Sequence, residues 1–310
     1  MNYLTLDDDY NQVKIIADSL APCGKRLTTI TARYGRIIHS EMLTHRDRER
    51  NSASSRAIPW TVMCEQIQNH PFVPLAWGVE QSGMQMGESI PPELADYANK
   101  LWLEARDAMV DYANSIANIG KTYNRHHKFT SGPRPEYEDI KIHKSLPNRL
   151  TEPWMYITVV MSATEWENFF RLRCHKDAEQ HFRKIAEMIR TLRNQSIPVQ
   201  LKDGEWHLPF IIPQDYVDSS ELVNSREEEL TLIKNVSVAR CARVSYLTHE
   251  GKRSLAKDVE LFHRLATGSD FGHFSPFGHV ASASAELVRS GPFIGFNQYR
   301  KEFPLENVEN

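Results

Sequence analysis

Between Glu41 and Arg56 the chain carries four arginines, one histidine and three serines, and then reaches Ala57-Ile58-Pro59. A guanidinium presents a planar fork of N–H donors that matches phosphate oxygens. Serine hydroxyls and the backbone N–H groups of a turn can cradle the same oxygens. His45 beside Arg46 adds a ring able to stack on, and hydrogen-bond to, a heterocycle. The chemistry is that of a nucleotide site, holding a phosphate together with a ring. The plainer reading is a solvated charged turn after a helix, because charge runs are mostly solvated faces. Serines closing on Arg56 at short range favour the anion cradle.

The spacing His45-Arg46, seven residues, Ser54 and then Arg56 resembles the signature of flavin-dependent thymidylate synthases, the ThyX family. That signature opens Arg-His-Arg; Thr44 holds its first position here. The tail from Arg50 to Pro59 resembles the phage-type branch. A second block, Asn168-Phe169-Phe170-Arg171-Leu172-Arg173, is similar to the family's Asn-Phe-x-x-Leu-Arg. It departs afterwards, with Ala178-Glu179-Gln180-His181 where the family has Ala-Gln-x-Glu. A third block, Ala242-Arg243-Val244-Ser245 with His273 to His279, resembles Ala-Arg-Val-Ser and His-x-x-Pro-Phe-Glu-His, with Gly278 at the glutamate. The resemblance covers residues 27–60, 142–195 and 235–300. In the family the third block precedes the arginine signature; here it follows, as in a circular permutation.

The resemblance implies reductive methylation of dUMP to dTMP, with methylenetetrahydrofolate and NADPH as cosubstrates and FAD as cofactor, reduced flavin delivering hydride. It implies that Arg173 and Ser54 are catalytic, and that Glu41, Ser54, Ser55, Arg56 and Arg173 hold the nucleotide. His45, Arg46, Asn51, Asn168, Ser245 and Ser275 would contact flavin, and His273 would lie near folate. It also implies a homotetramer with sites shared between subunits. The departures at Asp47-Arg48-Glu49, Gly278 and Glu179-Gln180-His181 leave two other outcomes open: a related flavin- and folate-dependent modification such as hydroxymethylation, or a nucleotide- or flavin-binding homologue without catalysis. None of Cys23, Cys64, Cys174 and Cys241 sits in a Pro-Cys-His context, so an attacking thiolate is not expected.

The elements that must position these residues follow from hydrophobic periodicity. Residues 27–34 read as a strand broken by Gly35. A helix then carries Glu41 and His45, with the rest of the signature in an exposed loop. Pro71 to Glu88 is loop-rich. From Pro91 to Ile119 the stripe Leu94, Tyr97, Leu101, Ala105, Met109, Tyr112, Ile116 marks a helix whose apolar face is core or helix-packing surface. Pro153 to Met161 reads as a buried strand. Thr164 and Glu167 have capping-box spacing for the next helix, and Asp177 is placed to cap the one after. Leu208 to Asp218 is a proline-containing connector, followed by helices at 225–245 and 258–265, a strand at 280–290 and a last helix to Arg300. Strand, glycine and helix thus recur at 27–46 and 280–301, an echo consistent with duplication. The fold class is α/β, a twisted, mainly antiparallel sheet flanked by helices. It forms one domain over 1–310, with ThyX-like halves at about 1–205 and 220–310.

With 310 residues, 41% hydrophobic and 25% charged, the composition is that of a globular protein. A net charge of −3 gives no global field toward polymeric nucleic acid. No apolar run is long enough for a membrane helix, and the acidic N-terminus lacks signal-peptide form. With no CxxC pair, the chain reads as a reduced cytoplasmic protein, in host cytoplasm if phage-encoded. His126-His127 lacks a second ligand cluster, and His273 with His279 lacks a third ligand, so no metal site is expected. The basic turn His143-Lys144 and Arg149 could supply a second phosphate contact or be solvated.

Overall fold

The computed structural model describes residues 3–126, 137–248, 253–267 and 272–307. Its centre is a sheet of six strands: β1 Thr5–Asp7, β2 Gln12–Leu20, β3 Arg26–Gly35, β4 Glu49–Ser52, β5 Tyr156–Ala163 and β6 Val199–Gln200. The order is β1-β2-β3-β5-β4, all antiparallel, with β6 running parallel to β2. The fold is therefore mixed α/β with antiparallel sheets. β3 and β5 pair from Thr28 opposite Ala163 to Gly35 opposite Tyr156. Because facing residues share a side of the sheet, Ile30, Ala32, Tyr34, Val159 and Met161 form one apolar face, while Thr29, Val160 and Ser162 form the other.

The helices are α1 His39–Leu43, α2 Trp60–Asn69, α3 Pro92–Ala117, α4 Ile119–His126, α5 Ser145–Leu150, α6 Glu167–Arg173, α7 Gln180–Gln195, α8 Pro213–Ser220, α9 Arg226–Arg243 and α10 Leu255–Thr267. α7 lays Phe182, Ile185, Ile189 and Leu192 on the first face, where they join the main core. On the second face, Phe210, Cys241 and Val244 pack on Ile16 and Val160, which fastens α9 to the sheet. The chain ends in short strands: β7 Trp206–His207, β8 Ala281–Ala283 and β11 Phe296–Gln298 form one sheet, and β9 Arg289–Ser290 pairs with β10 Phe293–Ile294.

A bulge in β2 between Ile15 and Ala17 has a consequence for the interior. Before it, Val13 and Ile15 face the α7 core. The extra residue reverses the alternation, so Ser19 lands on the side of Thr29 and Ser162.

Several sequence expectations are corrected. α3 forms, but Leu94, Tyr97, Leu101, Tyr112 and Ile116 are exposed, and Val110, Ala113 and Ala117 are buried instead. Small residues allow close approach to the neighbouring elements, and periodicity alone cannot say which side of a helix its own chain covers. Thr164 does not cap α6: its hydroxyl accepts from Ile294 N–H at 3.1 Å, and the helix begins after Trp166. Glu179, not Asp177, caps α7 by accepting from Phe182 N–H. Residues 291–301 form β10, β11 and a 3-10 turn, not a helix, because glycines with positive φ at 291 and 295 reverse the backbone. The echo with 27–46 therefore fails. The connector after Leu208 contains α8. No helix among the described residues is long and apolar enough to cross a membrane. His127 lies outside the described residues.

Candidate functional site

The signature is not one exposed loop. Glu49–Ser52 is the edge strand β4, paired to β5 from Glu49 opposite Ser162 to Ser52 opposite Val159. Alternation along this strand divides the stretch between the two faces of the sheet. Arg48 and Arg50 turn toward the α6–α7 side; Glu49 and Asn51 turn toward the C-terminal strands. Since β4 is an edge, both groups meet at one rim of the molecule.

On the first side, Arg50 Nη1 donates to the carbonyls of Leu43 at 3.0 Å and His45 at 2.7 Å. A cation there satisfies free carbonyls at the end of α1 and opposes the helix dipole. This fixes the turn that carries His45. Arg173, the last residue of α6, donates Nε–H to His45 Nε2 at 2.8 Å and reaches Glu41 Oε2 at 3.4 Å. Its guanidinium also lies over Phe182, 4.6 Å from the ring centre. Burial, with Arg48 and Arg173 nearby, pulls the His45 pKa to about 4. The imidazole is thus neutral and free to accept from Arg173. Burial and then Glu179 push Glu41 above its ordinary value, against Arg173. Asn168 shares a cavity with His45 and accepts from Arg171 at 3.0 Å.

On the second side, Asn51 Nδ2 donates to Ser275 Oγ at 2.9 Å, and Asn51 Oδ1 lies 2.9 Å from His279 Nε2. Behind them runs a buried chain of hydrogen bonds. His279 Nδ1 lies 2.8 Å from Ser162 Oγ, which lies 2.6 Å from Thr29 Oγ1. Thr29 lies 2.7 Å from His207 Nε2, and His207 Nδ1 lies 2.8 Å from Ser19 Oγ. With His279 Nε2–H donating to Asn51, every intermediate group donates once and accepts once, and both histidines are neutral. Burial lowers His207 to about 4 and His279 to about 3. The chain sets the orientation of the Asn51 amide from inside the protein.

A prediction follows from this chain. Each histidine is neutral when folded but regains an ordinary pKa near 6.5 when unfolded. Below that pH the unfolded chain binds more protons, so stability falls as pH falls. The loss is roughly tenfold in the folding equilibrium per pH unit for each histidine. His279→Leu should cost about 1–3 kcal/mol at pH 7, because the Ser162 hydroxyl proton and Asn51 Oδ1 both lose their bond to the imidazole, and should have a shallower acid slope. Urea unfolding between pH 7 and 5 measures both; parallel slopes for the two proteins would refute this account.

Glu49 explains the glycine at 278. A Cβ on Gly278 would meet Glu49 Cδ at 2.7 Å and Oε2 at 2.8 Å. The Glu49 carboxylate of β4 thus occupies the space that a side chain at 278 would enter. Gln298 Nε2 donates to Glu49 Oε1 at 2.8 Å, and Arg300 Nη1 pairs with it at 3.2 Å.

The serine end forms a third group. Ser54 N–H donates to the Ser245 carbonyl at 3.0 Å, and Ser54 Oγ accepts from Arg56 N–H at 3.2 Å. Ser55 is buried, its carbonyl accepting from Asn148 Nδ2 at 2.8 Å. Lys144, considered above as a phosphate contact, donates to the Ala57 carbonyl at 2.7 Å. Arg46, Arg56 and His273 are exposed. The divergent Glu179-His181 pair is joined by a hydrogen bond, and His181 Nε2 accepts from Leu75 N–H at 2.9 Å, holding the 71–88 loop.

The second and third motif blocks both meet the segment from Glu41 to Arg56. Comparison with family models and with curated proteins finds no match for this chain. Sequence reading missed Glu49, His207, His279 and the buried Arg48. A signal was present for two of them: in Arg48-Glu49-Arg50-Asn51 basic residues alternate with other polar ones at the period of a strand.

Proposed function

We propose that the chain is a flavin-dependent thymidylate synthase-like enzyme that methylates dUMP at C5, with methylenetetrahydrofolate and NADPH as cosubstrates. The observation that carries this reading is the His45–Arg173 hydrogen bond, which joins the first two motif blocks across 128 positions. The Asn51–Ser275 and Ser54–Ser245 bonds, which join the third block to the same segment, support it.

The residues present fit an anionic nucleotide cofactor. Arg48 is 4% exposed, and its Nε and Nη1 have no hydrogen-bond partner. His45 and Asn168 beside it, and Asn51, Ser245 and Ser275 across the edge strand, would hold FAD. Bound flavin would supply the hydride chemistry. Arg56 is exposed, and among the described residues its guanidinium has no partner, so it can meet the nucleotide phosphate. Ser54 Oγ already accepts from Arg56 N–H, so its own proton remains for a ligand oxygen. Arg173, fixed by His45 and Glu41, presents a charge able to offset negative charge developing on a uracil oxygen.

The cavity lined by His45, Arg48 and Asn168 holds about 210 Å³, below the range of about 300–1,000 Å³ of small-molecule sites. FAD needs further walls, and a second copy at the β4 edge would provide them. The exposed apolar stripe of α3 also favours a homo-oligomer, a tetramer by the resemblance.

Purified protein titrated with FAD should develop flavin absorption with noncovalent binding. Arg56→Ala should lower dUMP affinity by roughly tenfold to a hundredfold, the loss of a charge-assisted hydrogen bond, while FAD affinity holds. Absence of FAD binding by absorption and calorimetry would overturn the reading. Product mass after turnover separates methylation from hydroxymethylation.

A further inference from the structure

We infer that Arg48 is the receptor for a singly charged oxyanion, a carboxylate or a phosphodiester, in the cavity between the signature turn and α6. The inference deepens the function proposed above by giving the ligand a charge at this point, and it rests on that reading only for the cavity being a ligand site.

Arg48 is unlike the other arginines around it. Arg50 caps α1, Arg173 is bonded to His45 and Glu41, and Arg300 pairs with Glu49. Arg48 has no ion pair or hydrogen bond among the described residues, although it is more than nine-tenths buried. Its guanidinium carbon stands 4.3 Å from the Phe169 ring centre and 4.9 Å from that of Trp166. These rings hold the planar cation in one orientation. Burial, followed by repulsion from Arg50, lowers its pKa to about 10, so it stays charged at neutral pH.

A buried charge without a partner is strongly unfavourable. Its fork matches an oxyanion accepting two N–H donors. The cavity it lines, about 210 Å³ in volume, is open to His45, Asp47, Glu165, Asn168 and Phe169, and takes one anionic group with a small attached ring or chain. The acidic residues around it decide the charge. Asp47 is exposed, and among the described residues Glu165 and Glu167 form only long ion pairs, with Lys25 at 3.5 Å and Arg193 at 4.0 Å, Glu167 also accepting from Trp166 N–H at 3.0 Å. These three carboxylates repel a dianion more than a monoanion.

The test uses the full chain with benzoate, dimethyl phosphate and inorganic phosphate as probes, read by calorimetry and thermal melting. Benzoate or dimethyl phosphate should bind and raise the melting temperature saturably, and dibasic phosphate should bind more weakly. Arg48→Lys keeps the charge without the fork and should weaken the monoanion by roughly tenfold to a hundredfold. Arg48→Met should abolish binding and, without ligand, melt no lower than the wild type, because an unpaired buried charge has been removed. No monoanion binding by the wild type, unchanged binding by Arg48→Lys, or tighter binding of dibasic phosphate would overturn the inference. An FAD titration of the wild type separates the two readings. FAD binding without monoanion binding sinks only the role of Arg48, and monoanion binding through Arg48 without FAD binding sinks only the flavoenzyme.

Discussion

Arg240→Met is expected to destabilise the protein by about 3–5 kcal/mol, the usual effect of removing one partner from a buried ion-pair network. Arg240 is 3% exposed on α9. Its Nη2 donates to Asp215 Oδ1 at 2.7 Å, its Nε to Asp258 Oδ2 at 2.9 Å, and its Nη1 to the Phe210 carbonyl at 2.9 Å. One guanidinium therefore ties α8, α9 and α10 together. Asp215 keeps Arg253 at 3.0 Å and Asp258 keeps Arg243, but each loses its buried partner. Methionine approximates the volume, so the loss reports charge and hydrogen bonding more than a cavity.

The same network carries a pH dependence. Burial alone would raise the Asp215 pKa, but hydrogen bonds from Arg240 and Ile212 and the charges of Arg240 and Arg253 outweigh it and lower the value. A carboxylate with a lowered folded pKa contributes stability above its unfolded value near 3.8, and that contribution disappears as pH falls through the folded pKa. Wild type should lose this increment only in strong acid, and Arg240→Met should have lost most of it at neutral pH. Chemical denaturation at pH 7 checks the first effect. A loss under 1 kcal/mol would show that Asp215 and Asp258 are adequately held by Arg253 and Arg243.

What could be read in the sequence depended on whether the deciding interaction was local. β3, β5, α3 and α9 were legible because strand composition and helical spacing are properties of single segments. Ser225, which the sequence reading did not name as a cap, also caps α9 locally, its hydroxyl accepting from Glu228 N–H. The structure of the signature was not legible. Its charges suggested an exposed loop, whereas pairing with β5 makes Glu49–Ser52 a strand and buries Arg48 and Glu49. The false cap at Thr164 has the same cause, since the competing partner, Ile294 N–H, is 130 positions away. The relay from Ser19 to Asn51 depends on strand register and on one bulge, and register becomes visible only when the sheet is assembled. The direction of the α3 stripe is likewise a property of the whole: buried Val110 and exposed Tyr112 are equally apolar to a reader of spacing.

The contact between Glu49 and Gly278 yields the most specific expectation. Gly278→Glu would restore the residue of the motif that this stretch resembles, yet it should severely destabilise this protein, by more than about 3 kcal/mol. The new Cβ alone would stand 2.7 Å from Glu49 Cδ and 3.1 Å from Gln298 Nε2. Glu49 cannot swing aside freely, because it is 8% exposed and held by Gln298 and Arg300. A second carboxylate would also place like charges together in a buried site, raising the cost of ionising either one. The cure should be a reciprocal exchange. Glu49→Ala removes the obstructing carboxylate and leaves Gln298 Nε2 and Arg300 ready for the one at 278. Glu49→Ala alone should also destabilise, by leaving those donors with one partner fewer. The double variant should then be more stable than the sum of the two single losses predicts, by at least 1 kcal/mol, within the range seen for residues in direct contact. Urea unfolding of the four proteins completes the cycle. Additive losses would mean that Glu49 does not stand in for a carboxylate at 278, and the departure at Gly278 would then be a plain loss.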